Sequence, residues 1–520
     1  MDEINNDMNH EFDNPEENVP EEQQPVQADQ DESVQEPAAE QMQETAYEEH
    51  SRPSNPRRRR RSKKQIFKEA YLPAVIAGVA LLFVLIFIIG SISRNVQKHK
   101  VLKAESIEAS ESVAQQEAEL RAVVDDILKR AADKAAAYDY NGAIEILDSY
   151  TGDLTAAPEI RSMRDKYSEA ISTMSPWGDP SQVLNLSFHM LVADPARAYA
   201  DEDYADAYRR NFVTITEFSN ILTQLYENNY MLVSLDDFIT EEKDADGNVT
   251  FGTKTVYLPK DKKPVMITQT NVTYYRYMID GDGDGEPDKD GAGFASRLML
   301  DDKGEVTCEL IGANGEILTG AYDLVPLLND FIKVHPDFAY NNARAVIAVS
   351  GYEGVLGYRT DSATKTEKGE DYYNQQAAQA KAVADAMKKD GYVFACYSYE
   401  NKDYASISAA EVESDIQKWI AEVTPILGST DILAYAQNAD IALASADYTG
   451  EVYNGLKNAG FHYYLGFANK NPWATVNSDY VRQGRTMVTG ENLINFPSMF
   501  GDAFDSEAVL DPARSAKKAE

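Results

Sequence analysis

A long uncharged apolar run constrains this chain more than any other feature. Residues 71–93 carry no charged side chain. About 20 apolar residues in a helix span the hydrocarbon core of a bilayer, so the run predicts one transmembrane helix. A signal peptide fits less well, because the run is too long, begins only at Tyr71 and is followed by no obvious small-residue cleavage site.

Charges on either side of the run predict its orientation. The segment 57–70 holds five consecutive arginines and three lysines, whereas positive charge is sparser after Ser93. The positive-inside rule then places the N-terminus in the cytoplasm and the remainder outside the cell, in a single-pass protein of the cell membrane. An orientation anchor explains these arginines better than a nuclear or nucleic-acid signal, and they can also contact anionic lipid.

The composition of residues 1–56 predicts a disordered, acidic, cytoplasmic tail. They are rich in Glu, Gln, Asp and Pro and contain no Lys or Arg before Arg52. Such a segment buries too little apolar surface to offset the entropy of ordering. A formal net charge of -37 over 520 residues argues against nucleic acid as a partner. Whether the tail recruits a protein partner stays open.

Residues 104–174 predict a helical stalk. Ala, Glu, Lys and Leu dominate, and Ile127, Ala131 and Ala135 fall at helical spacing before a second helix that starts near Asp139. The pattern resembles one tetratricopeptide-like hairpin, although such repeats usually need about three copies for stability. A spacer that lifts the outer domain off the membrane is the preferred interpretation, and a docking role for a protein partner stays open.

Residues 176–520 predict an extracytoplasmic α/β domain in which strands and helices alternate. Capping boxes at Thr214 and Ser408 start two amphipathic helices. The buried-strand candidate at 265–267 ends in four polar residues, 268–271. In open and barrel α/β folds, ligands lie at the carboxyl ends of strands, so this polar end is a candidate site.

The stretch Thr268-Gln-Thr-Asn-Val272 resembles the first motif of the polysaccharide deacetylases, carbohydrate esterase family four, whose strand ends in Thr-Phe-Asp-Asp-Gly. The resemblance implies a distorted (β/α) barrel and a zinc-dependent hydrolase. It places Thr270 at the position of the general base and Asn271 at that of a metal-binding aspartate. A threonine cannot serve as a carboxylate base, and a neutral amide is a poor zinc ligand.

A second stretch, 391–401, resembles the motif in which that family has Ser-His-Thr-Tyr-Ser-His. Tyr397 and Asn401 stand where its two metal-binding histidines would be. The resemblance also places His189 where a Tyr-His pair often ends the opening strand. The residues that we expect to contact substrate are His189, Tyr352, Glu353, Arg359 and Tyr435.

An acidic turn follows the first motif. Aspartates at alternate positions with a glycine in sixth place predict a structural calcium site at Asp280, Asp282, Asp284 and Asp288, or a plain solvated turn. The two cysteines, Cys308 and Cys396, either pair or remain buried thiols.

Three classes of function stay open. The simplest hypothesis is a catalytically silent deacetylase relative that binds cell-envelope polysaccharide or peptidoglycan, because the base and metal positions are all replaced. The second is an active hydrolase, either an N-deacetylase with a rearranged site or a glycosidase that uses paired carboxylates. The third is an envelope scaffold. Zinc is expected for the family, and the replaced ligands argue against it here.

Overall fold

The chain is described by a computed structural model that covers residues 72–200, 204–245, 247, 249–279, 293–468 and 471–515. It divides into two compact units, 1–119 and 120–520. The helices are α1 (Leu72–Ala136), α2 (Tyr140–Asp148), α3 (Pro158–Ser172), α4 (Pro195–Ala198), α5 (Ala205–Asn211), α6 (Ile215–Glu227), α7 (Leu324–Val334), α8 (Ser362–Lys368), α9 (Glu370–Asp390), α10 (Ala409–Glu422), α11 (Thr424–Leu427), α12 (Gly450–Asn458), α13 (Gly490–Asn495) and α14 (Ser506–Val509).

The strands are β1 (Ser175–Trp177), β2 (Leu184–Phe188), β3 (Tyr230–Leu232), β4 (Ile239–Lys243), β5 (Val249–Thr253), β6 (Val256–Leu258), β7 (Lys263–Thr270), β8 (Ala295–Leu300), β9 (Val306–Ile311), β10 (Ile317–Gly320), β11 (Val346–Val349), β12 (Val393–Cys396), β13 (Ile432–Ala434), β14 (Tyr463–Phe467), β15 (Ala474–Val476) and β16 (Val481–Met487).

Parallel strands close into a barrel in the second unit. Their order is β2, β7, β11, β12, β13, β14, β16, and β16 pairs again with β2. Strand β7 changes neighbours along its length, because β3 pairs with its first residues and β11 with its last. This exchange distorts the barrel. The closed parallel barrel fits the (β/α) architecture that the motifs imply.

Side-chain alternation divides each barrel strand between two cores. On β7, Val265 and Ile267 pack in the outer core against the helices, whereas Met266 belongs to the inner one. Because side chains alternate with a period of two, Thr268 and Thr270 share the inner face with Met266. The polar end of this strand therefore lies inside the barrel.

The amino end of the barrel is covered by the chain between β3 and β7. This segment, 233–258, contains the antiparallel pair β4–β5 and strand β6, which pairs with β1. Its buried residues Leu235, Phe238 and Leu258 join the same inner core as Met266. We call this segment the plug. It seals one end of the barrel with apolar side chains.

Several sequence predictions are confirmed at the level of single elements. Both capping boxes form, with Thr214 bonded to Glu217 at the start of α6 and Ser408 bonded to Glu411 at the start of α10. Strands β8, β9 and β10 form a separate antiparallel sheet, and helix α7 follows it.

The predicted stalk is helical. The end of α1 packs with α2 and α3 through a small core that includes Ile127, Ala131, Leu147 and Tyr167. Asp139 caps α2 by accepting from the backbone of Gly142 at 2.9 Å. The compact unit that holds the barrel already begins at residue 120, and the domain boundary at 174–176 stays a prediction.

Other predictions meet the edge of the described residues. The predicted membrane span covers residues 71–93, and all of it except Tyr71 lies in the described helix α1. Among the described residues, no helix combines the length and apolarity needed to cross a membrane. The proposed calcium aspartates at 280–288, the tail 1–56 and the basic segment 57–70 lie outside the described residues. Cys308 and Cys396 are both buried and both free thiols.

Candidate functional site

Four side chains from separate elements meet at the carboxyl end of the barrel. His189 directly follows β2, Thr270 ends β7, Tyr397 directly follows β12 and Arg485 lies near the end of β16. Parallel strands bring such positions to one edge. We call these residues the mouth cluster. It unites two positions singled out by the deacetylase resemblance, Thr270 and Tyr397, with the predicted substrate contact His189.

Hydrogen bonds join the first two members. The Thr270 hydroxyl donates to the carbonyl of Phe188 at 3.2 Å and lies 3.1 Å from Nδ1 of His189. A hydroxyl has a single proton, so donation to Phe188 leaves Thr270 as the acceptor from the His189 ring. This arrangement orients the imidazole and does not prepare Thr270 as a nucleophile.

Arg485 lies at the centre of the mouth cluster. Its Nε donates to the carbonyl of Gly466 at 3.2 Å, and its Nη2 donates to the carbonyl of Tyr435 at 2.7 Å. Its Nη1 is 3.5 Å from the hydroxyl of Ser187, and its guanidinium carbon is 5.9 Å from the ring centre of Tyr397. Its neighbours are thus carbonyl dipoles, hydroxyl groups and an aromatic ring.

Burial sets the charge of the cluster. Burial, with the positive charge of Arg485 as a second cause, lowers the pKa of His189 to about 4. Burial also raises the pKa of Tyr397 and lowers that of Arg485. At neutral pH His189 and Tyr397 are therefore uncharged. Since an arginine stays protonated in proteins, the mouth cluster carries one positive charge.

A second polar layer supports the cluster from below. Asn185 donates to Gln483 at 2.9 Å and accepts from Thr268 at 2.8 Å. All three side chains are buried. Their positions precede Ser187, Arg485 and Thr270 by two residues, so they share the inward face one layer deeper. The barrel interior changes from apolar at the plug to polar at the mouth.

The two remaining metal positions of the resemblance have other partners. The Asn271 side chain accepts from the Tyr275 hydroxyl at 2.5 Å. Asn401 accepts from Gln437 through its backbone carbonyl at 3.2 Å. Its side-chain oxygen is buried without a partner. Within the described residues, the hydrogen bonds of Asn271 and Asn401 thus go to partners other than Thr270 and Tyr397.

Two of the predicted substrate residues after β11 connect their loop to the loop after β7. Glu353 accepts from the backbone of Arg276 at 2.7 Å, and Arg359 donates to the carbonyl of Tyr274 at 2.7 Å. Their charged groups are 3.8 Å apart. Tyr352 differs, because 44% of its surface is exposed. It is free to contact a ligand at the rim.

Tyr435 enters the site through its backbone. Its carbonyl binds Arg485, while its ring packs 6.3 Å from the ring of Tyr464 in the outer core. The sequence pattern placed this tyrosine among the substrate contacts. The structure instead gives it a role in holding the guanidinium.

Zinc does not fit the donor groups of this site. Thr270 and Tyr397 carry neutral hydroxyl groups, and the guanidinium of Arg485 lies among them and would repel a divalent cation. Within the described residues, no group of three or more His, Cys, Asp or Glu side chains is placed to hold a metal ion. Structural and catalytic zinc sites require such ligands.

Strained backbone concentrates around the mouth. Among the described residues, seven of the twelve non-glycine positions with positive φ follow the carboxyl ends of β7, β11, β12 and β13: Asn271, Tyr274, Glu353, Leu356, Ser398, Asn401 and Gln437. Non-glycine residues adopt this conformation at an energetic cost, and such strain clusters at functional sites. The distribution favours the mouth as the functional end.

A continuous path of ring contacts extends from the mouth cluster through the adjoining region. Tyr208 and Tyr275 are buried in this path, and Tyr352 is its exposed end. The His189 ring is 5.6 Å from that of Phe212, and Tyr275 and Tyr352 are 6.3 Å apart. Intermediate contacts of 5.6–5.9 Å complete the path, which we call the aromatic rim: Phe212, Tyr208, Tyr204, Tyr277, Tyr275 and Tyr352.

Sequence reasoning missed Arg485, Ser187 and the layer beneath them. Asn185 and Ser187 alternate with apolar residues in β2, and Gln483 and Arg485 are likewise two residues apart in the more polar β16. Polar residues on one face of an otherwise apolar strand signal a polar barrel interior. That signal was present, but it carries no indication of which strands are neighbours.

Comparisons with known proteins give a distant structural similarity. No protein-family model matches it, and no curated protein matches it. Among solved structures, it is similar to the Streptococcus pyogenes deacetylase PplD in complex with acetate. The identity is 12% and the TM-score is 0.32, over 61% of this chain and 97% of that one.

Proposed function

We propose that this chain is a membrane-anchored, deacetylase-like protein that binds cell-envelope glycan at the mouth of its barrel and does not hydrolyse it by the metal-dependent route. The observation that carries this proposal is Arg485. Where the resemblance calls for a base and a metal ion, the barrel holds a buried guanidinium beside Thr270 and Tyr397. A cation that belongs to the protein occupies the centre of the site.

The chemistry of the surrounding groups supports catalytic silence. Metal-dependent deacetylation needs a carboxylate to take a proton from water, and Thr270 has only a hydroxyl group. His189 has its Nδ1 directed at Thr270, and the pKa of about 4 makes it a weak base at neutral pH. These groups are suited to donating and accepting hydrogen bonds with a bound ligand.

Tyr352, the exposed end of the aromatic rim, supports a glycan as that ligand. Tyrosine combines an apolar ring face with a polar hydroxyl group, so it packs against sugar rings and also hydrogen-bonds to them. Tyr352 presents an exposed ring beside the carboxyl ends of β7 and β11. Polysaccharide or peptidoglycan of the cell envelope is the partner that this surface and the predicted topology favour together.

Membrane anchoring rests on the sequence. The uncharged residues 71–93 and the basic segment 57–70 support one span with a cytoplasmic N-terminus and an extracytoplasmic barrel. Fractionation of cells that express the full chain tests this part. The expected result is recovery in the membrane fraction after an alkaline wash, with the barrel digested by protease added outside the cell.

The glycosidase alternative needs paired carboxylates, and its candidates lie away from the mouth cluster. Asp236 and Asp237 belong to the plug at the amino end, and the backbone of Ser234 donates to Asp237 at 2.8 Å. Glu400 pairs with Lys402 and Lys418. Within the described residues, no carboxylate forms an ion pair with Arg485, and Asp440, whose charge acts on Arg485, is itself paired with Arg482. The hydrolase and scaffold alternatives stay predictions.

Metal content of the full-length chain tests the proposal. Purified with zinc present and then dialysed, the protein should retain no stoichiometric zinc by mass spectrometry of its metals. His189→Ala and His462→Ala form a matched pair, because His462 precedes β14 at the opposite end of the barrel. One zinc per chain, lost in the first variant and kept in the second, would overturn the proposal in favour of a rewired hydrolase.

A further inference from the structure

Among the described residues of the domain, three arginines are deeply buried, and they differ in how their charge is balanced. Arg482 pairs with Asp440 at 2.8 Å, and Arg514 pairs with Glu217 at 2.5 Å. Arg485 is the most buried of the three, and no carboxylate of the described residues forms an ion pair with it. Buried charges are ordinarily paired, because removing them from water is costly.

Carbonyl dipoles offset only part of this charge. Gly466 and Tyr435 each present one carbonyl to the guanidinium, the Tyr397 hydroxyl is hydrogen-bonded to it, and the Ser187 hydroxyl lies at the limit of hydrogen bonding. The charge of Asp440 also acts on Arg485, but Asp440 forms its ion pair with Arg482. The guanidinium has five N–H groups in a planar fork. It therefore keeps a formal positive charge and donor capacity directed into the mouth cluster.

One member of the cluster reaches the surface. Thr270, Tyr397 and Arg485 are buried, whereas His189 remains partly exposed. A ligand would therefore approach the guanidinium on the side of His189. All groups other than the guanidinium are neutral at pH 7, so the site as a whole favours a negatively charged group.

We propose that the mouth cluster binds the carboxylate of an acidic sugar, with Arg485 as the charge partner and Thr270, Tyr397 and His189 as hydrogen-bonding groups around it. This inference rests on the proposed glycan-binding function and names the sugar class that it selects. The planar fork of an arginine matches the two oxygens of a carboxylate. A uronic acid residue supplies this group on a sugar ring, which suits the adjoining aromatic rim.

Calorimetry on the full-length chain tests the inference with two matched probes. The first is a hexasaccharide of alternating glucuronate and N-acetylglucosamine. The second is the same hexasaccharide with its carboxyl groups reduced to alcohols. The wild-type chain should bind the acidic probe at least about tenfold more tightly, the effect of one charge-assisted contact. Free glucuronate, as a third probe, shows whether the carboxylate suffices without the neighbouring sugars.

Two arginine variants separate the site from general effects of losing a buried charge. Arg485→Met should abolish the preference for the acidic probe, so that both hexasaccharides bind within about twofold of each other. Arg482→Met removes a buried arginine from the outer face of the same strand and should keep the preference. Circular dichroism establishes that each variant is folded. If Arg485→Met does not fold, the Arg485→Lys variant is tested in its place. It should reduce the preference for the acidic probe, because lysine lacks the planar fork of the guanidinium.

Each outcome decides a definite claim. Equal binding of both hexasaccharides by the wild-type chain would overturn the carboxylate inference and leave glycan binding intact. A preference that persists in folded Arg485→Met or is unchanged in Arg485→Lys would overturn the role of Arg485. Binding of glucuronate alone with the affinity of the hexasaccharide would assign the site to small carboxylates in place of acidic glycans, which would also overturn it. No binding of any probe would count against both proposals.

Discussion

The two ends of the barrel are built by different rules. At the amino end, the plug fills the interior with apolar side chains such as Phe238 and Leu258. At the carboxyl end, the same strands enclose Thr270, Tyr397 and a buried guanidinium. The amino end stabilises the fold by burying apolar surface. The carboxyl end lowers that stability, because it holds buried polar groups in place. The contrast indicates that stability and ligand recognition are separated along the barrel axis.

The backbone follows the same division. Loops at the carboxyl ends of four neighbouring strands contain left-handed non-glycine residues, including Asn271 and Asn401. Polar interiors and strained loops both cost free energy, and they persist where the surroundings hold them. The apolar amino end and the outer helical core provide that support.

The largest effect is expected at the amino end. Phe238→Ala removes a fully buried ring from the plug and should lower the free energy of unfolding by about 3–5 kcal/mol. Affinity for glycan per folded molecule should stay unchanged. Urea unfolding and calorimetry measure the two quantities. Tyr257→Ala, in the same segment but 51% exposed, is the control and should have little effect on either. If folded Phe238→Ala lost affinity for glycan, stability and ligand recognition would not be separated between the two ends of the barrel.

Acid should destabilise the carboxyl end through His189. Its folded pKa of about 4 lies below the ordinary value of 6.5, so the unfolded chain binds the proton more readily. Its contribution to stability is complete above pH 6.5 and is lost as the pH falls to 4, by about 1–3 kcal/mol. Urea unfolding of wild type and His189→Gln across this window measures it. The stability difference between the two proteins should narrow with acid, and a difference that is independent of pH would contradict the prediction.

The two inward threonines of β7 should separate support from recognition. Thr268→Val leaves the buried side-chain oxygen of Asn185 without its donor and should cost about 1–2 kcal/mol of stability with affinity unchanged. Thr270→Val, one layer higher, should weaken glycan binding with a smaller loss of stability, because His189 can reach water. The reverse pattern in calorimetry and urea unfolding would place the ligand away from the mouth.

The smallest effect is expected from a rim tyrosine. Tyr352→Ala removes an exposed ring beside the mouth and should reduce affinity for glycan by about 1 kcal/mol, roughly fivefold. Stability should hardly change, since the ring is 44% exposed. Tyr257→Ala removes a similarly exposed ring from the opposite end and is again the control. Equal losses in both variants would indicate binding without preference for either end.

Much of the fold could be predicted from the sequence because its signals are local. Capping boxes at Thr214 and Ser408, the apolar spacing of α7 and the apolar run before Thr268 depend only on neighbours along the chain. The side chains of the motif positions Thr270 and Tyr397 are joined by a hydrogen bond. Their inward direction follows from alternation along the strands.

The centre of the site could not be predicted in this way. Arg485 meets Thr270 only because β16 pairs with β2 and β2 pairs with β7, which is a closure over some 200 residues of chain that no local pattern encodes. The sequence predicted that the Tyr435 ring contacts substrate. In the structure, the ring packs in the outer core, and the backbone carbonyl of Tyr435 accepts from Arg485. Such outcomes depend on the register of distant strands.

Dependence of glycan binding on metal tests the central claim most directly. The affinity of the full-length chain for envelope polysaccharide would be measured by calorimetry with a strong chelator and again with added zinc, and the product would be examined for released acetate. A guanidinium-centred site predicts equal affinity in both conditions and no acetate. Binding that requires zinc, or zinc-dependent release of acetate, would contradict the account and identify a metal-dependent deacetylase.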